Sequence, residues 1–145
     1  MTAVYSAMMS TVTPLPLRDW DPQWIRDVSV PVSTRDGHNG SVLAYFYSLA
    51  RGDLASASQH MNQIMAVEHR LAPSSPGSRA LILEIAYFLA RHRSDAVAAR
   101  KRLDAAREGA AVESYTLLRA EAAVAMAEGN YADAETTIAQ GLEIL

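Results

Sequence analysis

Three observations predict an all-α protein, an α–α superhelix of about three helix-turn-helix repeats preceded by a short N-terminal helix. From Ser41 onward, apolar residues recur at helical spacing, and no useful run shows the period-two alternation of a half-buried strand. Alanine, the strongest helix former, occurs 26 times in 145 residues, against two Phe and two Trp. A similar helix-joining turn returns at residues 52, 94 and 129.

The texture changes near residue 40. Residues 1–40 are expected to form an N-terminal arm, because Pro14, Pro16, Pro22 and Pro31 each remove a backbone donor and bias the preceding residue away from the helix. One short helix is expected near 21–28: Asp21 suits an N-cap, Pro22 the first helical position, and Trp20 can staple onto Ile25. Thr34 to Gly40 reads as a polar, glycine-marked loop. Residues 41–145 then read as a repeat domain of paired helices. The first pair is Ser41–Arg51 and Leu54–Arg70, the second Ser78–Arg91 and Ala96–Glu108, and the third Val112–Ala127 and Tyr131–Ile144.

The turns carry the repeat. Gly52-Asp53-Leu54, Ser94-Asp95-Ala96 and Gly129-Asn130-Tyr131 each join two helices, and an alanine follows three positions later, at 57, 99 and 134. Glycine ends a helix because it accepts a left-handed backbone cheaply, and Asp or Asn then caps the next helix. The spacings are 42 and 35 residues, the longer one accommodating a loop around Pro73–Pro76. Ala44, Ala86 and Ala122 sit at comparable places in the first helices, where a small side chain permits close approach. An irregular bundle of alanine-rich hairpins is the competing reading, since twelve Arg against one Lys point to a compositional bias.

This pattern resembles the tetratricopeptide repeat over residues 41–145, without that family's helix-A tryptophan or its closing proline. In that family the first helix of each pair lines a concave binding face. The resemblance therefore implies that Tyr45 and Ser48, then Glu84, Tyr87 and Arg91, then Thr116, Arg119 and Met126 face a groove that takes a peptide or protein segment. Tyrosine offers contact area with a polar tip, and arginine offers bidentate donors for carboxylates. Burial between repeats is the alternative for Tyr45 and Tyr87. Arg18-Asp19-Trp20-Asp21-Pro22, Leu43-Ala44-Tyr45-Phe46-Tyr47, Leu83-Glu84-Ile85-Ala86-Tyr87-Phe88 and Leu118-Arg119-Ala120-Glu121 also resemble the soluble helical tail of some bacterial site-2-protease-type membrane metalloproteases. That likeness implies a regulatory or oligomerisation tail domain, with neither the zinc-binding helix nor the membrane spans of the protease.

Chemistry finds little purchase in the sequence. Cysteine is absent, which removes disulfides, thiolate metal sites and thiol nucleophiles. His38, His60, His69 and His92 show no i, i+4 pair and no H-E-x-x-H, and His60 and His69 are nine residues apart, on opposite sides of one helix if it continues. No phosphate-binding glycine loop or G-x-S-x-G occurs, and the carboxylates Glu121 and Glu128 lie on alanine-rich helices. The expectation is a chain that is no enzyme and needs no metal or cofactor; a small-ligand-binding or enzymatic helical domain is the remote alternative.

The net charge of -3 divides unevenly: -1 over residues 1–75, +3 over 76–108 and -5 over 109–145. The basic cluster Arg91-His92-Arg93 and Arg100-Lys101-Arg102-Arg107 has acids interleaved and no aromatic to stack on bases, so local pairs such as Arg100–Asp104 are expected rather than nucleic-acid binding. No window spans a bilayer, and residues 1–12 lack the layout of a signal peptide. A soluble, cytoplasmic scaffold is the expected setting. The apolar run Leu142-Glu143-Ile144-Leu145 adds homodimerisation as an expectation.

Overall fold

Six α-helices and one 3-10 turn make up the regular structure of the residues described by the computed structural model, 35–71, 76–108 and 115–144. They are α1 (Arg35–Ala50), α2 (Leu54–Ala66), the 3-10 turn Glu68–Arg70, α3 (Pro76–Arg93), α4 (Ala96–Arg107), α5 (Tyr115–Ala127) and α6 (Tyr131–Ile144). Among these residues no strand occurs, and no helix is long and apolar enough to cross a membrane. The all-helical expectation is met. The short helix expected near 21–28 and residues 112–114 lie outside the described residues.

Three turns join the helices in pairs, and they share one backbone solution. Gly52, Ser94 and Gly129 have φ of +75°, +52° and +79°, the left-handed conformation that terminates a helix. At the two glycine turns the reversed hydrogen bonds of a Schellman ending close the helix: Gly52 N–H to Leu49 and Asp53 N–H to Ser48, then Gly129 N–H to Met126 and Asn130 N–H to Ala125. The next residue starts the following helix. Asp53 accepts from Ser56 N–H at 3.1 Å and Asp95 from Ala98 N–H at 3.0 Å. Ala57, Ala99 and Ala134 then donate their N–H groups to the carbonyls of Asp53, Asp95 and Asn130. All three alanines are buried. A larger side chain there would push the second helix of each pair off the first.

The chain divides between His69 and Arg70 into two compact units. In the first, α1 packs on α2. Ala57, Met61 and Ile64 form the buried stripe of α2, and Ser41 donates across the pair to Gln63 at 3.3 Å. Residues 41–48 of α1 are buried on every side of the helix, with Tyr45 and Phe46 in edge contact at 4.9 Å between centroids. In the second unit α3 packs on α4 and on α5, and α5 on α6. Its core gathers Ile85, Phe88 and Leu89 of α3, Leu103 of α4 and Leu118 and Val124 of α5.

Several boundaries differ from the sequence reading. Of the polar segment 34–40, residues 35–40 are helical rather than a loop: α1 begins at Arg35 and runs through Gly40, and Thr34 lies outside the described residues. Each glycine in a helix interior costs about 1 kcal/mol relative to alanine, and the extensive burial that begins at Gly40 outweighs that penalty. The division expected at residue 40 therefore falls inside α1. Helix α2 ends at Ala66, and His69 stands in the 3-10 turn rather than on the same helix as His60. Helix α3 starts at Pro76, where a missing N–H costs nothing in a first turn, and continues to Arg93.

The shared turn makes opposite predictions for two substitutions. A left-handed backbone costs a non-glycine residue about 1–2 kcal/mol, against about 0.4–1 kcal/mol of extra unfolded-state entropy for glycine. Ser94→Gly is therefore expected to stabilise the protein by about 0.5 kcal/mol. Gly129→Ala is expected to destabilise it by about 1 kcal/mol, from backbone strain alone, because no atom lies within 4 Å of a Cβ placed there. Urea unfolding midpoints of the two variants should shift in opposite directions.

Candidate functional site

Helix α3 places one carboxylate, Glu84, inside the apolar run Leu81-Ile82-Leu83-Glu84-Ile85-Ala86. Only 2% of Glu84 is exposed. Such a charge needs a partner, because an isolated buried carboxylate is prohibitively costly. Arg119 of α5 supplies it, its guanidinium donating to Glu84 Oε2 at 2.7 Å. The same guanidinium lies 3.6 Å above the centroid of the Tyr87 ring. The ring's electron-rich face and the carboxylate therefore hold one cation from two directions. Glu84 and Arg119 are 35 residues apart, the spacing of the second and third turns.

Above this triad a cleft of about 240 Å³ opens over α5, between α3 and α6. Tyr87 and Arg91 come from α3, and Leu118, Arg119, Ala122 and Met126 from α5. Helix α6 adds Ile138, Gly141 and Leu142. The floor is small and apolar, so a docked chain can approach closely. Three large apolar side chains around it are exposed, Met126 by 51%, Ile138 by 47% and Leu142 by 66%. Both charged residues of the lining are arginines. Arg119 is committed to Glu84, whereas exposed Arg91 has no counter-charge or hydrogen-bond acceptor among the described residues.

The eight positions implied by the tetratricopeptide resemblance thus separate. Tyr87, Arg91, Arg119 and Met126 come together at the cleft. Glu84 lies beneath it as the anchor of Arg119 rather than as a contact residue. Thr116, on α5, is half-buried and does not line the cleft. Tyr45 has no exposed surface and Ser48 is buried, so these two stand in the core of the first unit instead of facing an open groove. The cause is α1 itself, which is enclosed on every side where Tyr87's helix is open on one. Ile138 and Leu142 are missed by the repeat register, which draws only on the first helix of each pair. Their signal lies in α6: Tyr131, Ile138 and Leu142 recur at intervals of 7 and 4, one helical stripe, and all three are exposed.

No family model matches the chain. Neither a curated protein nor a solved structure matches it significantly either. The residues themselves therefore carry the functional reading.

The carboxylates on α5 and in the turn that follows it are occupied. Glu128 pairs with Arg100 at 2.6 Å and Glu121 with Arg107 at 2.9 Å. The hydrogen bond from Arg100 holds Glu128 below the usual carboxylate range and raises Arg100 in turn. Asp104, the partner expected for Arg100, stands farther off at 3.8 Å. A second, polar cleft of about 310 Å³ runs beside these pairs, with Asn130, Asp133 and Gln140 on its walls. Among the described residues no three His, Cys, Asp or Glu side chains cluster to hold a metal.

His92 follows Arg91 at the end of α3. Its ring meets Tyr87 edge-on at 6.0 Å and Phe88 at 5.1 Å, and its Nε2 is buried with no hydrogen-bond partner among the described residues. Burial first, then the charges of Arg91 and Arg119, hold its pKa below the ordinary imidazole value.

These contacts set the response to substitution and to pH. Arg119→Ala removes the ion-pair partner of the buried Glu84 carboxylate and is expected to cost about 3–5 kcal/mol. The double replacement Glu84→Met with Arg119→Leu is expected to recover most of that loss in urea unfolding, because no buried charge remains. For His92 the native state binds fewer protons than the unfolded chain once pH falls below about 6.5. Stability contributed by the neutral ring is thus full above about pH 6.5 and declines as pH falls toward the depressed native value. Comparing unfolding free energies at about pH 7.5 and about pH 5.5 should reveal a smaller decline for His92→Gln than for the wild type.

Proposed function

We propose that the chain is a non-catalytic interaction module of tetratricopeptide-like hairpins whose second unit docks a protein or peptide segment in the cleft over α5. The observation that carries this reading is the convergence of exposed Met126, Ile138 and Leu142 around small floor residues, with the uncompensated Arg91 at the rim. Large apolar side chains grouped on a surface with a charged rim are the usual mark of a docking face. The volume argues for a segment over a metabolite: about 240 Å³ falls below the roughly 300–1,000 Å³ of small-molecule pockets. A few side chains of a longer ligand fit that space. The tetratricopeptide-like plan is supported by the shared turn geometry and by the meeting of equivalent helix positions at Glu84 and Arg119. Engagement of Glu121 and Glu128 in ion pairs favours structure over acid–base chemistry for those groups.

A displayed random-peptide library panned against sparsely tethered chain, so that copies cannot meet, tests the reading. Peptides carrying apolar side chains and a carboxylate should be enriched, and Met126→Asp should reduce their binding at least about tenfold. No enrichment, or enrichment indifferent to Met126→Asp, overturns it.

A further inference from the structure

We infer that the segment taken up by the α5 cleft is helix α6 of a second copy of this chain, the two copies pairing about a twofold axis. This rests on the reading of the cleft as a docking site and names its occupant.

The cleft sets two requirements. Its apolar lining calls for an amphipathic helix or strand, and Arg91 at its rim, with no carboxylate in the lining, calls for an acidic one. Helix α6 meets both. From Ala120 to Leu145 the chain has no Lys or Arg, and α6 carries Asp133, Glu135 and Glu143. Tyr131, Glu135, Ile138 and Leu142 follow one another at intervals of 4, 3 and 4, the spacing of a coiled-coil seam. Tyr131 is 68% exposed and Leu142 66%, so this seam lacks a partner among the described residues. Glu143, beside Leu142, is exposed and, like Arg91, has no charge partner among the described residues.

Symmetry makes the match reciprocal. In an isologous pair, a contact between residues i and j occurs twice. Helix α6 is one wall of the cleft, and α3, bearing Arg91, is the opposite wall. Turning one copy through 180° sets the α6 seams antiparallel, with Ile138 and Leu142 of each copy against those of the other. The mate's α6 then runs in the same direction as α5, so its C-terminal end, with Glu143, approaches the α3 wall and Arg91. One surface thus provides the apolar centre, the cation and the anion.

Light scattering and sedimentation of the full chain, from about 1 to about 200 µM, read the pairing directly. The expected result is a mass that doubles with concentration. Arg91→Glu and Glu143→Arg should each weaken the dimer at least about tenfold, and the two together should restore it. Leu142→Asp should give a monomer at every concentration with unchanged far-ultraviolet circular dichroism. The exposed charge variants keep the test decisive should Leu142→Asp fail to fold. A monomer at all concentrations overturns the inference, as does a dimer indifferent to the charge exchange. Peptide capture by a chain that stays monomeric leaves the docking site standing and removes only the second copy.

Discussion

The second unit depends on one half-buried cation held against a buried carboxylate. The Arg119 guanidinium sits between the Glu84 carboxylate and the Tyr87 ring, joining α5 to α3 at a point where water is nearly excluded. Alanine-rich helices slide easily, because small side chains make shallow ridges and several registers bury similar area. A buried ion pair removes that freedom. A shift of α5 along α3 by one turn would separate these charges, so the pair opposes such sliding.

That alignment also explains the uneven charge along the sequence. The excess of positive charge over residues 76–108 and of negative charge over 109–145 looks like a feature for a partner when read linearly. Folding brings much of it together, since Arg100 reaches Glu128 and Arg107 reaches Glu121 between α4 and α5. These pairs are partly exposed and individually weak. Their effect is subtraction: once they form, the charges without described partners include Arg91 beside the cleft and Glu143 on α6.

The helices, the three turns and the buried alanines are legible in the sequence because each rests on a local rule. A left-handed residue followed by a capping Asp or Asn leaves the same mark wherever it occurs, and even Ser94 is placed correctly by its neighbour Asp95. The start of α1 is not legible, since local propensity disfavours Gly37 and Gly40 in a helix and only burial reverses it. Tyr45 and Tyr87 show the same boundary from another side. They lie 42 residues apart at equivalent helix positions, yet one is enclosed and the other lines a cleft. Periodicity places a residue on a face; what covers that face is a tertiary fact. Half of the eight positions drawn from the repeat register reach the cleft for this reason. Glu84 carries a clearer sign, a lone acid within an apolar run, whose need for a buried partner follows from the sequence alone.

The cleft itself is a consequence of how α5 is held. Arg119 fixes its alignment on α3, and Ala122 and Ala123 keep its exposed side low. Gly141 of α6 keeps the second wall low beside Leu118, whose Cβ would be in ordinary contact, at 4.0 Å, with a methyl group on residue 141. Small residues that permit tight packing inside the unit therefore also leave a trough on its surface. Larger side chains at 122 or 141 would fill that trough. The same choice of residue thus brings the helices together and keeps open a place for another to lie against them, which is how an alanine-rich chain with few aromatic residues can present a shaped apolar surface at all.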